Sequence, residues 1–460
     1  MTDLASAFSA HFAGTAIVPG DERYEEARAV WNGTVDAHPV LVAQCRTVED
    51  IVAAVNLTRD AGVPFAVRGG GHSVAGLSTC DGGVVIDLSS MRAVTVDSKR
   101  RVATAEPGAT WGDFDAATGR HGLASTGGLI STTGVAGLTL GGGIGWLQRR
   151  YGLACDNLIG AELITADGVT VRASQSERPD LLWGLRGGGG NFGIVSRFEF
   201  SVHPVTTVLG GLMLFPMDQG RNVLCTFRDW AADLPDEGSM LAAVLTAPPE
   251  PFVPSHLVGQ KAVGILGCWC GDLEDGAAAL EPLRRLKPAA DVFGPMPYPA
   301  LQGMLDAGAP AGLRNYFRGG YLSDLTDDVI DVVLEQGAAM PSPMSQIHLH
   351  QMGGAVGRVG LGDTAFSGRA AAYTYNLVST WSDAAEDATH IAANRQLAAA
   401  LAPMSQQGTY VNFLTDASGD NEIPVRAAYG DDVYERLARL KREFDPTNLF
   451  RTNLNVRPAR

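Results

Sequence analysis

Three short glycine runs constrain this chain more than anything else in it: Gly69–Gly71, Gly141–Gly143 and Gly187–Gly190. The 56 glycines form no repeat, so these runs read as local backbone devices where a side chain would be in the way. Gly188, Gly190 and Gly193 match the G-x-G-x-x-G dinucleotide fingerprint, which needs a strand before it and a helix after it. Here a helical DLLWGLR precedes and a strand-like IVSRFEF follows, so the order is inverted and a Rossmann turn is rejected. Two readings stay open for the three runs. They are tight, close-packed turns, or they converge on one extended ligand whose phosphates their bare amides surround as a nest.

At 460 residues the chain exceeds a single core, and two structural units are expected. Charged residues make up 18% and the net charge is −15, which argues against nucleic acid or an anionic membrane as partner. Six cysteines without a CxxC pair give no zinc site, and no metal is expected. The start, MTDLASAFSAHFAG, lacks the pattern of a signal peptide, and no apolar run has membrane-spanning length. With free cysteines, the expectation is a cytoplasmic protein, monomeric or homodimeric.

The opening residues read as helix, strand and helix, with helical spacing from Val48 to Thr58, followed by a strand VPFAVR that runs into Gly69. WGDFDAATGRHG reads as helix, and Asp167-Gly168 marks a hairpin turn. After about residue 205 the glycine clusters end and strands alternate with helices, which suggests a second domain over 206–404. A helix in SDAAEDATHIAANRQLAAALAPM and another in YERLARLKREF, stopped at Asp445-Pro446, close the chain.

The ordered set RGGGHS, GLTLGGGIGWLQRRYGLACDNL, DLLWGLRGGGGNFGIV and the tail from YVNF to DPTNLFRTNLN resembles the berberine-bridge-enzyme-like branch of the vanillyl-alcohol-oxidase flavoproteins. The resemblance spans essentially the whole chain. It is strongest toward bacterial secondary-metabolism members such as the enterocin favorskiase. It implies an α+β fold: a PCMH-type FAD-binding domain of two α+β subdomains over 1–205, an antiparallel sheet backed by helices over 206–404, and a segment 405–460 returning to the flavin. It also implies FAD, bonded through His72, with Arg68, Gly69, Gly70, Gly71, Ser73, Gly76, Thr132, Thr133, Gly134, Gly137, Gly141, Gly142, Gly143, Gly193 and Val195 around it. Ile130 stands where many relatives carry a second, cysteine tether, so the chain resembles mono-covalent members. Tyr410, Asn412 and Asn453, with Asn455, match the family's polar groups near the isoalloxazine ring.

In QIHLHQ the period of two puts Gln346, His348 and His350 on one strand face, as a candidate substrate-binding wall. His348 occupies the position of a relative's glutamate base, and a near-neutral imidazole can serve as a general base. A His-x-His metal pair and plain packing are the rivals. Thr133 matches a threonine that captures oxygen near flavin N5 in the enterocin enzyme, and Tyr410 is a candidate for proton steering. The expected activity is oxidation of a small natural-product, aromatic, alcohol or amine substrate with O2. An oxygenase, a sugar oxidase and a flavin-binding protein without chemistry are the alternatives.

Overall fold

The computed structural model describes residues 2–415 and 422–460. Near the start, strands Thr15–Ile17, Leu41–Gln44, Val84–Asp87 and Phe65–Arg68 form a sheet in that order. The last three run parallel, and the first is antiparallel to its neighbour. Helix Val48–Asp60 makes the crossover, started by a Thr47/Asp50 capping box that satisfies two end amides. Val84–Asp87 is buried at every residue, as expected of a central parallel strand covered by helices. The opening region is richer than helix, strand, helix. Thr15–Ile17 and the short helix Tyr24–Arg28 are added elements, each too brief for a hydrophobic period to show.

A second unit is a five-stranded antiparallel sheet ordered Val94–Asp97, Val102–Ala105, Ile194–Ser201, Leu158–Ile164, Thr170–Ser174. The Asp167-Gly168 hairpin is present, with Gly168 at φ +77°. Helix Pro179–Leu185 leads to the third glycine run and strand Ile194–Ser201 leaves it, the inverted order expected. Trp111, Phe114 and Phe200 pack edge-to-face in this unit's core, which also takes in Tyr434, Leu437 and Val456 from the C-terminal segment. Helix Asp431–Phe444 is locked there by Lys441, whose buried ammonium donates to Asp445 at 2.6 Å and to the carbonyls of Asn191 and Phe450 at 2.8 Å.

Residues 207–381 build a larger sheet, antiparallel throughout, ordered Ala290–Asp291, Thr207–Pro216, Lys261–Trp269, Gly238–Thr246, Gln346–Gln351, Tyr373–Trp381, Arg314–Leu322. Helices Gly220–Ala232, Leu273–Arg284, Asp327–Ala338 and Asp387–Leu401 cover one face. Alternation sorts the strands cleanly. Ala242, Val244, Ile347, Leu349, Tyr375 and Leu377 enter the helix-side core. Their neighbours Leu241, Ala243, Gln346, His348, His350 and Asn376 point to the other face. Among the described residues no helix is long and apolar enough to cross a membrane.

Candidate active site

That other face closes a cavity of about 490 Å³ against the two smaller units. The first glycine run continues strand Phe65–Arg68 straight into its wall. A Cβ on Gly70 would lie 2.6 Å from the Gly134 Cα, and one on Gly134 would lie 2.7 Å from the Gly70 nitrogen. Two loops therefore touch backbone to backbone, and neither position has room for a side chain. The Gly189 amide donates to the Leu140 carbonyl at 2.8 Å, which ties the third run to the second. Around Gly137 and Gly190, both on the wall, a Cβ would meet nothing within 4 Å. The runs are packed against one another on one side and open to the cavity on the other.

His72 sits on this wall, half-buried, its ring stacked on Trp31 at 4.3 Å and 18°. Its Nε2 is buried without a hydrogen-bond partner. Burial lowers its pKa to about 4, so the imidazole is neutral and keeps a lone pair. Gly69, Gly71, Ser73, Thr133, Gly141, Gly193 and Val195 also line the cavity, and so does Ile130.

Five of the expected cofactor contacts are not brought to the wall. Arg68 turns away: its guanidinium forms a buried bidentate pair with Asp87, at 3.0 and 2.8 Å, and donates to the carbonyls of Ala27 and Ala29. It holds the strand end in place rather than facing a ligand. Gly76 packs on Val35, Gly142 on Phe366 and Gly143 on Ala154, all at positive φ behind the wall. Thr132 is exposed.

From the C-terminal segment, Tyr410, Asn412 and Asn453 reach the wall. The phenol oxygen of Tyr410 accepts from the Gly143 amide at 2.9 Å, the Ile144 amide at 3.4 Å and Asn412 Nδ2 at 2.8 Å. Burial, partly offset by these three donors, pushes its pKa up to about 12. Asn453 donates to the Gly190 and Phe450 carbonyls, while its Oδ1 is buried and unpartnered. Asn455 Oδ1 is unpartnered too, away from the wall.

Gln346, His348 and His350 do share the cavity face. His348 Nε2 lies 2.8 Å from Gln346 Oε1, and the two histidine rings meet edge-on at 5.6 Å. Burial lowers His348 to about 4 and His350 to about 3, the latter with a smaller push from His348. Among the described residues no group of three or more His, Cys, Asp or Glu is placed to hold a metal. Sequence reasoning missed Trp31 and Asn376. The alternation in TYNLVSTW would have put Asn376 on a sheet face, but nothing in VWNG marks Trp31.

Residues 39–174 match the family described as FAD binding domain, and residues 409–457 match Berberine and berberine like. The chain is 30% identical to an FAD-linked oxidoreductase of Dictyostelium discoideum, over 99% of this chain and 97% of that protein. An uncharacterised FAD-linked oxidoreductase of Bacillus subtilis strain 168 is 31% identical, over 97% of each. The chain belongs to the berberine-bridge-like family of FAD-linked oxidoreductases. Among solved structures, 6-hydroxy-D-nicotine oxidase from Arthrobacter nicotinovorans superposes with a TM-score of 0.87 at 27% identity, covering 97% of this chain and 98% of that one. The residues of this FAD-linked oxidoreductase suit the cofactor. The glycine cradle leaves room for a ligand but none for Cβ atoms at Gly70 and Gly134, and the His72 and Asn453 side chains offer unpartnered buried atoms.

Proposed function

We propose that the chain is an oxidase of a small aromatic, alcohol or amine substrate, with dioxygen as electron acceptor and FAD tethered once, through His72. The observation that carries this reading is the unpartnered, neutral His72 nitrogen on the wall of a cavity framed by three glycine runs. FAD held there supplies a two-electron acceptor that takes hydride from substrate and returns the electrons to dioxygen, giving hydrogen peroxide. Ile130, unable to form a thioether, lines the same wall, which supports a single tether. The likeness to a nicotine oxidase supports a small organic substrate.

The substrate lies between the cradle and the sheet, where His348 is the base. With Gln346 Oε1 accepting, His348 carries its proton on Nε2, and Nδ1 keeps the lone pair that draws a proton from the substrate. Tyr410, kept protonated by burial, orients the substrate rather than deprotonating it. Asn412 fixes the phenol, donating also to the Leu138 carbonyl at 3.1 Å.

Acid precipitation tests the tether: flavin stays with the wild-type chain and leaves the His72→Ala chain for the supernatant. Flavin retained by the variant would overturn the assignment.

One observation keeps an oxygenating reading in play. Thr133 lines the cavity with its amide and carbonyl already engaged by Ile130 and Trp111, which leaves its hydroxyl as the group to orient oxygen. A visible spectrum that differs from ordinary oxidised flavin, rebuilt only when air returns after reduction, would favour it.

A further inference from the structure

Among the described residues the cavity wall carries no Asp, Glu, Lys or Arg. Its ionisable side chains are His72, His348, His350 and Tyr410, and burial holds all four neutral around pH 7. A phosphate can still be met at the glycine runs, where loop amides are available. The sheet face offers no such amides, because the backbone of Gly238–Thr246, Gln346–Gln351 and Tyr373–Trp381 is spent on the ladder. An ionised group brought against that face would lose its hydration and gain no counter-charge.

The face is also divided. Leu241, Ala243 and Leu266 make one side apolar, while His348, His350 and Asn376 make the other polar. On the polar side two buried atoms have no partner in the protein, His350 Nε2 and Asn376 Oδ1, in residues that are each 4% exposed. Asn376 pairs directly with His348 across the strands, so His350 is its diagonal neighbour on the same face. An amide oxygen only accepts, and a neutral imidazole with Nε2 protonated donates. Phe413, whose ring lies 5.9 Å from that of His350, adds an aromatic surface beside them.

We infer that the site takes its substrate uncharged, as a planar molecule presenting a hydrogen-bond donor and acceptor together on one edge: an amide, a lactam or a hydroxyaromatic ring. The position of the substrate rests on the proposed flavin site, whereas its charge rests on the wall alone. Three isosteres of one shape separate the possibilities: benzamide, benzoate and benzamidinium, titrated calorimetrically into the purified protein at pH 7.5. Benzamide is expected to bind at least about ten-fold more tightly than either ion, since neither ion finds a counter-charge. Asn376→Leu should weaken benzamide by about ten-fold with flavin content unchanged, because it removes the acceptor. Asn376→Asp should move the preference toward benzamidinium. Benzoate or benzamidinium binding as well as benzamide, or benzamide failing to bind up to its solubility limit, would overturn the inference. Protein that carries no flavin would instead overturn the flavin site, and the same titration would still rank the charges.

Discussion

Replacing His350 by leucine should make the protein less sensitive to acid. His350 is buried, its Nε2 is unpartnered and its folded pKa is lowered to about 3. In the unfolded chain a histidine titrates near 6.5, so the unfolded state binds a proton over a range where the folded state refuses it. Stability from the neutral ring is therefore complete above pH 6.5 and is lost as pH falls from 6.5 toward 3. The loss runs at about 1.36 kcal/mol per pH unit, so at pH 5 wild type has given up about 2 kcal/mol through this residue alone. That figure depends on the unfolded value and hardly on the folded one, provided the latter stays below about 4. His72 and His348 titrate alike in both proteins and cancel in the comparison. At pH 7 the leucine variant should equal or exceed wild type, since an unsatisfied buried polar atom has been removed. Urea unfolding of the flavin-loaded proteins at pH 7 and pH 5, followed by tryptophan fluorescence, measures the difference. Equal losses in the two proteins would show that water reaches His350 and would refute the argument.

Gly70→Ala should abolish flavin loading, because its Cβ would sit 2.6 Å from the Gly134 Cα and force the two loops apart; normal flavin content would refute the cradle. Lys441→Met leaves Asp445 as a buried, unpaired carboxylate and should cost about 3–5 kcal/mol, read as a lower melting temperature. The kcat/KM of the enzyme should be flat from pH 6 to 8 and fall on the acid side toward pH 4, as His348 takes a proton. A fall centred near 6.5 that His348→Gln leaves in place would remove His348 as the base.

The glycine runs and the Gln346–His348–His350 face were legible because each is a local pattern: missing side chains in one case, a period of two in the other. Arg68 was misread for a related reason. It adjoins the first glycine run, and nothing local says that its guanidinium is committed to Asp87 on the next strand and to carbonyls before Trp31. Trp31 was invisible and Asn376 was legible only as a sheet-face residue, because their roles depend on register and loop paths between distant segments. Asn376 meets His348 only through the pairing of strands Gln346–Gln351 and Tyr373–Trp381. Gly76, Gly142 and Gly143 were swept in with their neighbours, although their positive φ serves turns behind the wall.

Tyr410, Asn412 and Asn453 join the residues around His72 on the cradle side of the cavity, and they are made much later in synthesis. A ribosome releases the cradle while these three residues are still untranslated, at a pace of about 5–20 residues per second. The glycine cradle of the nascent chain thus stays without these three side chains until the tail that docks through Lys441 has been made. Flavin capture should therefore come late in maturation, and cutting the tail from the folded chain should loosen its hold on the flavin.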